Sequence, residues 1–144
     1  MSAHFTFSLR EPATSEFLDV RASVSCRGYA GETTFSVARR DLAAFIAEAD
    51  ALREARTTVA QLIGGWDTAS ERLRLGVRPA GTSGQFHARI NVAATGPRTD
   101  SWQRVETDFV CSPAQMSDFL RALSDLLTGV TSDAVLVGDA AAIA

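Results

Sequence analysis

The sequence predicts an α+β fold, a mostly antiparallel β-sheet with two α-helices covering one face. Three observations point there. Segments such as "HFTFSLR" and "FHARINV" alternate apolar and polar residues, the period of a strand with one buried side. Two other segments, near Arg39 and from Pro113, space their apolar residues by three and four, the pattern of one helical face. Most links between strands are of hairpin length, which joins neighbours antiparallel. A sheet with one apolar face needs a cover, and two helices supply it.

The elements follow in order. In His4 to Arg10, Phe5, Phe7 and Leu9 point one way. "EPATS" turns the chain, and in "FLDVRASVSC" Leu18, Val20, Ala22, Val24 and Cys26 take one side against Asp19, Arg21, Ser23 and Ser25. "RGYAGE", with Gly28 and Gly31, reads as a hairpin connection, and "TTFSV" as a short third strand. Leu42, Phe45, Ile46, Ala49 and Leu52 then mark a helix over Arg39–Glu54. "TTVAQLI" returns to strand before Gly64 and Gly65. "RLRLGV" places Leu73, Leu75 and Val77 inward and Arg72 and Arg74 outward. "RPAGTSG" is the clearest loop, because Pro79, Gly81 and Gly84 all interrupt regular structure. "FHARINV" and "WQRVETDFVC" are two more alternating strands. The second helix, Pro113–Leu127, has a capping residue in Ser112, proline at its first position and Gln115 to complete a capping box. Gly129 suits its end. "AVLV" reads as an edge strand, and the tail near 131–144 as weakly ordered.

The two helical segments share an outline. Phe35 precedes Phe45 by the interval that separates Phe109 from Phe119, and Leu42, Ile46, Ala49 and Leu52 match Met116, Leu120, Leu123 and Leu126. An internal duplication explains this; so does convergence on a common strand-to-helix pattern.

With 144 residues, 46% of them hydrophobic, the chain suits one domain with a substantial core. Its net charge of -3, from 14 basic and 17 acidic residues, gives no long-range attraction for nucleic acid or an anionic membrane. No apolar run approaches the length of a membrane span, and the start lacks a secretory pattern, so a cytoplasmic location is expected. Cys26 and Cys111 both lie in apolar runs and read as buried thiols.

No catalytic motif stands out. His4 and His87 are the two histidines, scattered from the cysteines without the spacing of a metal site, so no metal or cofactor is expected. There is no nucleophile elbow and no phosphate-binding loop. The paired carboxylates Asp67 and Glu71, and Glu106 and Asp108, read first as solvated faces. More informative are the outward arginines. Arg74, Arg89 and Arg104, with Trp102, fall on polar sides of strands, and adjacent strands would bring them onto one face with Glu106, Asp108 and Asp19. Such a ladder stabilises cross-strand pairs; it also suits a protein contact, since arginine and tryptophan carry much interface energy. Trp66, beside Gly65 and Asp67, and His87 are candidates for lining a ligand pocket.

The segments "SVARRDLAAFIAEADALREA", "AQLIGGWDTASERLRLGV", "GQFHARINV" and "WQRVETDFVCSPAQMSDFLRALSDLL" give an order of elements that resembles the WapI-like bacterial immunity proteins and their uncharacterised relatives. The resemblance, which spans Phe35 to Leu127, implies a non-enzymatic protein that binds and neutralises a cognate toxin. It supplies no catalytic residues. The expectation is therefore a protein-binding domain; the alternatives are a small-molecule binding or sensing domain and an enzyme with an unrecognised site.

Overall fold

The computed structural model describes residues 2–10, 16–52, 59–65, 71–81, 84–95 and 102–140; the side chains at 94, 95, 102, 103 and 140 lie outside that description. Strands β1 (Ser2–Leu9), β2 (Phe17–Cys26) and β3 (Tyr29–Ala38) form a meander leading into helix α1 (Arg39–Ala51) and strand β4 (Ala60–Gly65). A second meander of β5 (Glu71–Ala80), β6 (Gln85–Thr95) and β7 (Trp102–Cys111) leads into α2 (Pro113–Leu127) and β8 (Asp133–Ala140). All eight strands form one sheet, in the order β3-β2-β1-β8-β7-β6-β5-β4, and every pairing is antiparallel.

The succession of three strands, a helix and a strand thus occurs twice, and each closing strand crosses to the other half. β4 pairs with β5, the first strand of the second half, and β8 pairs with β1, the first strand of the first. Strand β8 as a whole lies between β1 and β7 and is not the outermost strand, but the "AVLV" run within it pairs with β1 alone among the described residues. There, β7 meets β8 at Asp139 and Ala140, and Ala134 and Leu136 are buried because their row of the strand faces the core. Residues 141–144 of the tail lie outside the described residues.

Strand alternation puts one row of each strand into a continuous core that includes Phe5, Phe7, Val20, Phe35, Leu75, Ile90, Phe109 and Leu136. The helices cover this face, as the sequence predicts. Phe45 and Phe119 are 1% and 0% exposed. Phe119 meets Phe5 edge-on with ring centres 6.1 Å apart, and Phe7 meets Phe35 in the same way at 6.2 Å. The sheet also covers itself. It curls until β3 packs against β4, β5, β6 and β7. Gly31 then lies so close to Val105 that a Cβ there would come within 2.9 Å of it. That contact explains why Gly31 belongs to β3 instead of the hairpin: the turn needs only Arg27 and Gly28, both with positive φ, at 55° and 81°. Pro79 likewise is in β5, opposite Phe86.

The α2 start is as predicted. The Ser112 hydroxyl accepts from the Gln115 amide at 3.1 Å, and the Ser112 amide donates to the Gln115 side chain at 2.8 Å. Gly129, at φ 81°, ends the helix; its amide donates to Leu126 O and that of Val130 to Asp125 O, a Schellman closure. α1 begins at Ala38 with no side-chain cap. Arg39 instead reaches across to α2 and donates to the Leu127 carbonyl at 2.7 Å, which places the first turn of α1 beside the last of α2. The helix ends at Ala51 with Leu52 as its C-cap, and residues 53 and 54 fall outside the described residues.

Candidate functional site

The opposite face of the sheet is polar, and on β5, β6 and β7 it holds an open depression of about 410 Å³. Arg74, Arg89 and Arg104 converge there, one from each strand. Register explains the convergence. Arg74 faces Asn91 across β5–β6, Asn91 faces Glu106 across β6–β7, and Arg89 and Arg104 follow on the same row of their strands. Gly76, opposite Arg89, lies among them and contributes no side chain.

Two of the arginines are held by carboxylates. Arg74 donates from Nε and Nη2 to both oxygens of Glu71, at 2.7 and 2.9 Å, a bidentate pair. The hydrogen bond from Arg74, aided by the charges of Arg74 and Arg104, holds the Glu71 carboxyl below its ordinary pKa against the opposing effect of burial. Arg89 donates from Nε to Glu106 Oε1 at 2.8 Å, with Nη2 2.5 Å from the same oxygen. Arg104 is exposed, acts on Glu71 through its charge, and forms no hydrogen bond or salt bridge to a described residue. Among the described residues, the depression thus carries three guanidinium groups against two carboxylates.

Other sequence-based candidates fall elsewhere. His87 is half-buried on the same face, with Nε2 3.4 Å from Asp108, and is not among the residues that line the depression. Asp108 thereby serves His87, and Asp19 is remote from this ladder: it lies on β2, paired with Arg10 at 3.5 Å. Arg72 does not line the depression. Trp102 opens β7 opposite Thr95, with its side chain outside the described residues. Trp66 and Asp67 lie outside them altogether. Sequence reasoning missed Glu71 as the partner of Arg74, which the spacing of three residues signals, and missed Gly76. A lone glycine inside an alternating strand was the available signal for the latter.

The first half of the sheet repeats part of this arrangement, beside a depression lined by His4, Thr6, Ser23, Ser25, Ala30 and Glu32. Val20 faces Phe35 across β2–β3 as Ala88 faces Phe109 across β6–β7, so Arg21 corresponds to Arg89, Ser23 to Asn91 and Glu32 to Glu106. Through β1 and β5, Thr6 corresponds to Arg74 and Ser8 to Gly76. The ion pair of Arg21 with Glu32, at 3.5 Å, repeats that of Arg89 with Glu106. A depression of about 350 Å³ opens here too, but hydroxyls and Ala30 stand where Arg74 and Arg104 stand in the second half.

Among the described residues, no three His, Cys, Asp or Glu side chains are grouped to hold a metal ion, and no helix is long and apolar enough to cross a membrane. No family model, no curated protein and no solved structure matches this chain.

Proposed function

We propose that this chain is a protein-binding domain whose contact face is the outer surface of β5, β6 and β7, and that its partner is a bacterial toxin that it neutralises. The observation that carries the binding reading is the meeting of Arg74, Arg89 and Arg104 in one open depression. Carboxylates hold two of these side chains in place, which lowers the ordering entropy of a contact. Trp102, two positions before Arg104 on β7, is the proposed apolar anchor. The toxin-neutralising reading draws its support from the resemblance of the sequence, over Phe35 to Leu127, to WapI-like immunity proteins.

Affinity capture from the native host, followed by calorimetry of the purified pair, tests the proposal. Trp102→Ala is expected to weaken the pair by more than about 1 kcal/mol with the unfolding midpoint little changed. Failure to recover any protein partner, or a partner whose affinity ignores substitution of Trp102, Arg74, Arg89 and Arg104 alike, would reject this face.

A further inference from the structure

The glycines inside the strands divide into two kinds. Gly31, Gly64 and Gly138 sit where a Cβ would collide with Val105, Phe35 and Phe109 respectively, so packing explains them. Gly76 is different. Its φ lies outside the left-handed region, and among the described residues a Cβ there would meet nothing closer than Val59 Cγ1 at 3.9 Å and Arg89 O at 4.0 Å, ordinary contacts. The fold has room for a side chain at this position. Glycine in a strand interior lowers stability and often marks a bulge, a bend or a place where a ligand or another backbone comes close; the register of β5 with both neighbours is regular at Gly76, so no bulge accounts for it. The corresponding residue in the first half is Ser8, so the repeated scaffold accepts a side chain there.

The surroundings of Gly76 say what chemistry approaches it. Arg74 spends Nε and Nη2 on Glu71, and Arg89 spends Nε and Nη2 on Glu106. With respect to the described residues, each guanidinium retains its Nη1 hydrogens and Arg104 retains all its donors. Among the described residues, the two carboxylates are already hydrogen-bonded to Arg74 and Arg89, so the excess charge of the depression is positive and Arg104 carries it. Guanidinium donors fixed in a fork match carboxylate oxygens two at a time.

We infer that the depression floored by Gly76 takes an extended acidic segment of the partner protein, with carboxylates on Arg104 and the free edges of Arg74 and Arg89 and the segment lying against the bare backbone at Gly76. The inference rests on the protein-binding reading and names the chemistry of the partner. It also locates the specificity in the second half of the sheet. The first half keeps the Arg21–Glu32 pair but has Thr6, Ser8 and Ala30 in place of Arg74, Gly76 and Arg104.

The test uses the full chain and a fluorescein-labelled oligoglutamate peptide, read by anisotropy at low and moderate salt. The peptide is expected to bind, more weakly as salt rises. Arg104→Gln and Gly76→Val should each weaken binding about tenfold or more, the loss of a charged hydrogen bond or of the space it needs. Arg21→Gln, in the equivalent ion pair of the first half, should leave binding unchanged. Gly76→Val should unfold no earlier than the parent; Gly76→Ala, which adds one methyl, provides the same comparison if valine perturbs the strand. Absence of peptide binding, equal losses from Arg21→Gln and Arg104→Gln, or binding indifferent to both Gly76 variants would overturn the inference. A captured protein partner that ignores Arg104→Gln and Gly76→Val yet is lost with Trp102→Ala would overturn it too, while leaving the protein-binding reading standing.

Discussion

Gly64 of β4 lies against the ring face of Phe35 of β3, so close that any Cβ would enter the ring. The second half repeats the contact: a Cβ at Gly138 of β8 would come within 2.5 Å of Phe109 Cδ2 and of the Val110 carbonyl oxygen. In each half, the strand after the helix uses a glycine to admit the aromatic of the strand before it. The interval from Gly64 to Gly138 in sequence equals those from Phe35 to Phe109 and from Phe45 to Phe119. Gly64→Ala is therefore expected to destabilise by about 1–3 kcal/mol through overpacking. Chemical denaturation in a double-mutant cycle with Phe35→Ala checks it: the alanine at 64 should cost much less once the ring is gone.

The two ends of the α2 argument differ in scale. Phe119→Ala removes a fully buried ring that packs on Phe5 and should cost about 3–5 kcal/mol. Ser112→Ala removes a single cap hydrogen bond and should cost about 0.5–2 kcal/mol. Urea unfolding of both variants gives the comparison, and equal costs would mean that the helix draws its stability from its cap instead of its buried stripe.

Acid should loosen the arginine depression. The Arg74 hydrogen bond depresses the pKa of Glu71 in the folded chain, so the unfolded chain takes up the proton first as pH falls. The stability this pair contributes is present above the ordinary value of 4.5 and is lost as pH drops through the lower folded value. The slope should be small, because the pair is solvated and screened by salt. Unfolding free energies of the parent and of Glu71→Gln across the acid range should converge as pH falls and separate above it.

Neither thiol should react while the chain is folded. Cys26 and Cys111 are both buried, and burial pushes the Cys111 pKa up to about 12, which leaves almost no thiolate at neutral pH. Iodoacetamide labelling should proceed at the rate of unfolding and become fast in denaturant. Rapid labelling of the native chain would contradict the packing around Cys111.

What could be read beforehand was what local chemistry decides. Ser112, Pro113 and Gln115 marked the α2 start, and Trp102 to Cys111 alternated cleanly enough to give β7 its limits. What could not be read depended on distant partners. Gly31 resembles a turn residue until Val105 is known to occupy its Cβ space, and "AVLV" resembles an outermost strand until β8 joins β1 along its length and β7 at its end. The site divides in the same way. Alternation put Arg74, Arg89 and Arg104 outward, and strand adjacency then gathered them. The counter-ions are not legible from residue type alone: Asp19 lies on β2, which β1 and β8 separate from the strands of the arginines.

The crossing of the closing strands has a kinetic consequence. Phe5 of β1 pairs with Leu136 of β8, and β8 alone joins the two meanders along that seam. Closing a loop of nearly the whole chain costs entropy before any contact repays it, so the seam belongs to the slow end of folding for its size. Each meander can form early from its own hairpins, yet neither completes its half of the sheet without a strand encoded in the other. The duplicated scaffold is thus a mutual clasp: opening either crossing exposes an edge in both halves, and amide protons of β1 and β8 should exchange together.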